Sequence, residues 1–188
     1  MLGILEQYDL TDFGPLSVKR IHLESEATRL AYHVLEQTVC DPRMEQIDID
    51  YLLSAEHYRH LAQKISLDSK MTDVPDSTPV HPETIYLSVV DKDRNAISFI
   101  NSVCFAFGSG LVEPKSGVLL HNRGSAFSLD PKHPNAIAPR KRPRHTIIPG
   151  LLTKDDDTLM SFGVMGGQFQ PVGQVRAVSY THLRAHET

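Results

Sequence analysis

The seventeen residues SLDSKMTDVPDSTPVHP, Ser66 to Pro82, constrain the fold of this chain more than any other feature. They carry three prolines, Pro75, Pro79 and Pro82, and few large apolar side chains. Such a run can neither continue a helix nor occupy the middle of a sheet, because each proline fixes φ and removes a backbone donor. An exposed, partly extended linker is expected over residues 66–83. It divides the chain into residues 1–65 and a second part beginning at Thr84.

The two parts have different periodicities. From Ser17 to Val39, apolar residues Val18, Ile21, Ala27, Leu30, Ala31, Val34 and Leu35 recur at steps of three and four, the spacing of one long amphipathic helix. Gly14 and Pro15 precede it and Asp41-Pro42 closes it. A second helix is expected from Ser54 to Ile65, with Tyr58, Leu61, Ala62 and Ile65 on one face. Beyond the linker, TIYLSVVD and NAISFIN are β-rich runs separated by the polar turn DKDR, which reads as a hairpin. Further strands are expected at residues 117–120, 146–152 and 159–164, with glycines at the turns between them.

Charge and composition exclude several classes. The chain has 188 residues, a formal net charge of −4 and a pI of about 6.2. It therefore has no global attraction for nucleic acid or anionic membrane. The basic run PRKRPRH, Pro139 to His145, lacks interleaved aromatics and reads as a loop rather than a nucleic-acid surface. Cys40 and Cys104 are too few for a disulfide framework and read as buried free thiols. His57 and His60 are three apart on a helix, but no third ligand follows at metal spacing, so a solvated helix face is expected and no metal. MLGILEQYDL lacks a basic leader and meets Glu6, and no apolar run reaches membrane length, which favours the cytoplasm and gives no membrane span.

The last eleven residues, VSYTHLRAHET from Val178 to Thr188, break the preceding pattern. They back-translate to a sequence similar to a transposase-type sequencing adapter. They are set apart from the fold, with the expectation that the gene continues differently after Ala177.

Thr84 heads the first strand directly after the linker. Threonine becomes a useful nucleophile when a base lies beside it, and one solution makes it a chain N-terminus whose own α-amine takes the proton. That amine has a reference pKa of about 8, so part of it is neutral at physiological pH. A threonine is also common at the head of an ordinary strand, and the position alone leaves both readings open.

Several ordered motifs bear on the choice. From Thr84 onward the chain contains TIYLSVVDKDRNAISF, FGSGLV, SGVLLHNRG, NAIAPRKRPRHTIIP and GVMGGQFQPVGQ. Their order resembles the small subunit of the gamma-glutamyltranspeptidase family. GILEQYDLTDFGPLSVKRIHLESEATRLAYHVLEQTVCDPRM resembles the end of that family's large subunit. The resemblance implies an α/β (α+β) fold, the αββα sandwich of N-terminal-nucleophile hydrolases, incomplete here. It divides the chain into a helical large-subunit-like region (1–65), the linker (66–83), a β-rich catalytic region (84–177) and the tail (178–188). It also implies a precursor that cuts itself between Glu83 and Thr84, with large and small subunits arising from one chain.

Carried over by position, Thr84 is the nucleophile and Ser102 the second hydroxyl that bonds to it. Gly166 and Gly167 give their backbone N–H groups to the oxyanion, and no cofactor is needed. The chain also departs from the family. Cys104 stands where an asparagine binds the glutamate part of the substrate, Ala126 where an acidic residue grips the α-amine, and His145-Thr146 where a serine pair binds the α-carboxylate. Arg123 replaces a glutamine or glutamate. These changes, with TIYLSVVD at the strand start, resemble the divergent acylase-like branch of the family.

Arg123 either attracts a carboxylate on the acyl group or holds its own loop. The function implied is that of an amide hydrolase and acyltransferase of the gamma-glutamyltransferase type, a glutathione-metabolism zymogen by family, acting on a small amide or γ-glutamyl-type substrate. The alternative is a non-catalytic, truncated or unprocessed homologue that serves as a structural or interaction unit.

Overall fold

The structure is a computed structural model that describes residues 1–75 and 84–181. These residues fall into two compact units. One takes in residues 1–75, 128–142 and 175–181, and the other takes in residues 84–127 and 143–174.

The first unit is helical. A short helix α1 (Leu2–Leu5) and a 3-10 turn (Leu10–Asp12) lead into α2 (Val18–Thr38), followed by α3 (Ile49–Leu52) and α4 (Ala55–Ala62). α2 starts where Ser17 leaves the helical region and its hydroxyl accepts from Arg20 N at 3.2 Å; Ser54 caps α4 by accepting from His57 N at 3.1 Å. Each cap satisfies an otherwise orphaned donor of the first turn and is worth about 1 kcal/mol.

The buried stripe of α2 is Leu23, Ala27 and Leu30, spaced i, i+4, i+7, and it packs with Ile4, Leu5, Leu61, Ala62 and Ile65. Val18 and Ile21, expected on that face, are 84% and 49% exposed, so the stripe starts one turn later than the sequence pattern indicates. Tyr8 ties the start of the chain to α4 by donating from its hydroxyl to Ala62 O at 2.7 Å.

The first half of the expected linker is folded onto this core. Val74 is buried, and Met71 and Leu67 pack against the cluster. The cause is a buried ion pair that the apolar pattern does not reveal. Glu26, 3% exposed, accepts from Arg29 Nη1 at 2.9 Å and from Met71 N at 2.9 Å, while Arg29 donates to Met71 O at 3.0 Å and to Val74 O. The second half of the linker, with Glu83, lies outside the described residues.

Asp41, at the end of α2, plays a similar part. It accepts from Arg43 Nη2 at 2.6 Å and from Arg142 N at 2.8 Å, which anchors the part of the basic run that lies in the same unit, residues 139–142. Those bonds, led by the Arg43 side chain, hold the Asp41 carboxyl well below the usual carboxylate range.

The second unit is built on two antiparallel hairpins. β1 (Ile85–Val90) pairs with β2 (Ala96–Asn101), and β3 (Gly150–Lys154) pairs with β4 (Asp157–Phe162). Asp91 closes the first turn by accepting from Asn95 N and Asp93 N, each at 2.9 Å. One face of this hairpin, Leu87, Val89, Ile97 and Phe99, is about half exposed.

The other face meets the second hairpin. Tyr86 Oη lies 3.0 Å from Ser98 Oγ and 3.1 Å from Ser161 Oγ, and Ser98 Oγ donates to Phe162 O at 3.2 Å. Gly163 is required there, since a Cβ would fall 2.3 Å from the Tyr86 ring. The strand expected at residues 117–120 amounts to one bridge between Val112 and Leu119. The expected run at 146–152 becomes a strand only from Gly150 onward.

α5 (Phe169–Thr181) follows the glycine pair and runs into the expected tail. Residues 182–188 lie outside the described residues. Among the described residues, no helix is long and apolar enough to cross a membrane.

Candidate active site

The hairpin register brings two of the expected site residues to one end. Ile85 pairs with Asn101, and the residues flanking this pair, Thr84 and Ser102, line one cleft with Val103, Ala106, Met165 and Gly166. Thr84 is half-buried at the foot of β1, and Ser102 is the first residue after β2. Ser102 Oγ also accepts from Cys104 N at 2.8 Å, a local bond that accompanies a φ of 84° at Cys104. A non-glycine residue in this left-handed region is strained by the order of 1 kcal/mol, so the chain is held tightly where it leaves Ser102. Cys40 is buried as expected, whereas Cys104 is only half-buried; neither forms a disulfide among the described residues.

The glycine pair approaches from the other side. Gly166 and Gly167 have φ of 114° and 54°, values that L side chains rarely adopt. Their carbonyls accept from Phe169 N at 2.9 Å and Gln170 N at 3.1 Å, which starts α5. Among the described residues no hydrogen bond uses either glycine N–H. Gly166 lines the cleft with Thr84, and Gly167 follows it in the turn.

Arg123, His145 and Thr146 form a second group. The 3-10 turn Arg123–Ala126 buries Arg123 to 5% exposure, and Arg123 Nη1 donates to Thr146 Oγ1 at 3.1 Å. His121 Nδ1 accepts from Arg123 N at 3.2 Å, and His145 Nδ1 accepts from Ile147 N at 3.3 Å. His145 is exposed overall, and the partial desolvation of its ring, with smaller effects from the Arg123 and His121 charges, lowers its pKa from the ordinary value. Ala126 supplies only a methyl group at the end of this turn.

The two groups are connected. Asn122 N donates to Val103 O at 3.1 Å, and Asn122 Oδ1 accepts from Phe105 N at 3.1 Å, so the turn bearing Arg123 is fastened to the segment that follows Ser102. Gln170, fully buried, accepts at Oε1 from Ile148 N at 3.2 Å, and Gln174 donates to Ile148 O. Those bonds fasten the strand lead-in carrying Thr146 to the helix that begins at the glycine pair.

Sequence reasoning missed Asn122, Gln170, Gln174, His121 and Tyr86. Gln170 and Gln174 share one face of a helix at i, i+4, a spacing that was available as a signal. The pair His57 and His60 belongs to the helical unit. His57 is 8% exposed and packs on Tyr51 with ring centroids 4.8 Å apart, so it is not on a solvated face as expected. Among the described residues, no group of three His, Cys, Asp or Glu side chains is placed to hold a metal ion.

Comparison with known proteins adds identity to this geometry. The sequence pattern described as Gamma-glutamyltranspeptidase matches residues 1–186. The glutathione hydrolase-like YwrD proenzyme of Bacillus subtilis is 36% identical over 95% of this chain and 33% of its own length. The oxamate amidohydrolase proenzyme of Klebsiella pneumoniae is 36% identical over 96% of this chain and 33% of its own. Among solved structures, cephalosporin acylase from Bacillus halodurans superposes with a TM-score of 0.77 at 37% identity, covering 96% of this chain and 33% of that one. The chain thus spans about a third of the length of these relatives. The mixed helix-and-strand architecture agrees with the fold class expected from the sequence.

Proposed function

The chain belongs to the gamma-glutamyltranspeptidase family, and from that premise we propose that it is part of an amide hydrolase that cuts its own precursor before Thr84 and then uses Thr84 as an N-terminal nucleophile. In the first reaction Thr84 Oγ attacks the Glu83 carbonyl, the acyl group moves from nitrogen to oxygen, and water cleaves the resulting ester. Glu83 leaves as a new carboxylate, and Thr84 gains a free α-amine.

In the second reaction Thr84 Oγ attacks the substrate amide carbonyl while that amine takes its proton. The oxyanion lies against the N–H groups of Gly166 and Gly167. The amine returns the proton to the departing nitrogen, leaving an acyl ester on Thr84 that water hydrolyses or an acceptor amine captures. Ser102 donates to or accepts from the Thr84 hydroxyl and holds its rotamer. The two subunits made by the cut remain associated, and the chemistry calls for no metal or organic cofactor.

The observation that carries this reading is the single cleft lined by Thr84, Ser102 and Gly166, with two glycine N–H donors in the turn that no hydrogen bond uses among the described residues. That relatives are named for glutathione hydrolysis and oxamate amide hydrolysis supports a small amide as the substrate. The test is covalent labelling of the full-length protein with an electrophilic amide analogue, followed by peptide mass mapping. An adduct on Thr84 is expected; an adduct elsewhere, or none on active protein, contradicts the assignment.

A further inference from the structure

Arg123 stands out among the buried polar groups. It is 5% exposed, and its Nη2 is buried without a hydrogen-bond partner, although Nη1 reaches Thr146. A guanidinium cannot shed its proton, so a buried donor left dry costs free energy that an anion recovers. Among the described residues, no carboxylate forms an ion pair or hydrogen bond with Arg123.

The neighbours add donors rather than acceptors. His121 and His145 each accept a backbone N–H at Nδ1, which places the proton of each neutral ring on Nε2. Thr146 supplies a hydroxyl. The whole group is one fixed positive charge ringed by donors, and the fork of a guanidinium matches the two oxygens of a carboxylate. Asn122 fastens Arg123 to the segment after Ser102, and Gln170 fastens the Thr146 lead-in to the helix after Gly167.

Resting on the nucleophile reading above, we propose that Arg123, with Thr146, His121 and His145, binds a carboxylate on the acyl half of the substrate, and that the preferred substrates are amides whose acyl group bears a carboxylate and no neighbouring ammonium. An ammonium in this group meets the fixed charge of Arg123, and among the described residues no carboxylate bonded to Arg123 offsets that repulsion. The inference separates this chain's substrates from γ-glutamyl compounds, which carry both charges.

The test uses the processed full-length protein and three kinds of amide: dicarboxylic monoamides from oxamate to glutaramate, their uncharged methyl esters, and L-glutamine, which adds an ammonium to the glutaramate frame. The best monoamide should exceed its ester in kcat/KM by about ten- to hundredfold, the worth of a charge-assisted hydrogen bond. Glutaramate should exceed glutamine. Arg123→Gln should bring the monoamide-to-ester ratio close to one, and Arg123→Lys should restore part of it.

If the variants do not fold, inhibition of the wild type decides instead: the monomethyl ester of the dicarboxylic acid, which keeps one carboxylate, should inhibit turnover of the uncharged amide about tenfold more strongly than the dimethyl ester, which has none. A cut, active wild type with no preference for the charged amide, or equal inhibition by the monomethyl and dimethyl esters, overturns this inference alone. A wild type that stays uncut and inactive on every amide overturns the nucleophile reading beneath it.

Discussion

Ile85 faces Asn101 across the first hairpin, so Thr84 and Ser102 emerge side by side at the end where both strands stop. The turn Asp91–Asn95 at the opposite end sets that register. A slip of one residue moves every side chain of β1 to the other face and removes Ser102 from the cleft.

Ser102 should therefore contribute through its hydroxyl alone. Ser102→Ala is expected to lower kcat by about ten- to hundredfold, whereas Ser102→Thr retains most of the activity. Steady-state kinetics on processed protein checks this, and equal losses in both variants would indicate a packing role.

Gly166 tests the oxyanion turn by conformation rather than by bulk. A Cβ there meets only Phe169, 3.5 Å from its Cβ and 3.9 Å from its Cδ1, both ordinary contacts, but φ is 114°. Gly166→Ala should rotate the N–H away and cost about two to three powers of ten in kcat, with a stability loss of only about 1–3 kcal/mol. Thermal unfolding measured beside kcat separates the two effects.

Glu26 should matter to the fold and not to the chemistry. Removing it leaves Arg29 with a buried charge and frees Met71 N. Glu26→Ala is expected to destabilise the helical unit by about 3–5 kcal/mol. It should also raise hydrogen exchange at residues 66–75, a change that denaturant titration and exchange mass spectrometry read directly.

His145 offers a pH signature. Its pKa is lowered, first by burial and then by Arg123 and His121. The folded state thus binds this proton less readily than the unfolded chain. The corresponding stability is present above the ordinary histidine value of about 6.5 and is lost as pH falls through the folded value. An NMR titration of His145 should give a midpoint below 6.5, and Arg123→Gln should raise it; a midpoint unmoved by that substitution would contradict the proximity of the two charges.

The sequence made the regular elements legible because their signals are local. Helices α2 and α4 begin within a residue of the expected Ser17 and Ser54, and the DKDR turn joins β1 to β2 as expected. Thr84, Ser102 and Gly166 could be named from ordered motifs, and all three line one cleft. Features that depend on long-range polar pairing were not legible. The docking of Met71 and Val74 by Glu26 and Arg29 overrides a composition that reads as an open linker. The stitches from Asn122 and Gln170 join segments 17 and 22 residues apart, a separation at which periodicity carries no information. Arg123 left two readings in the sequence; its bond to Thr146 and its unpartnered nitrogen are both properties of burial.

The central claim is that the peptide bond before Thr84 breaks by the action of Thr84 itself. The direct measurement is intact mass of the full-length protein, wild type and Thr84→Ala, purified identically and incubated at neutral pH. The account predicts two fragments from the wild type, the smaller beginning at Thr84, and a single uncut chain from the variant. A wild type that remains whole, or a variant cut at the same bond, would contradict it.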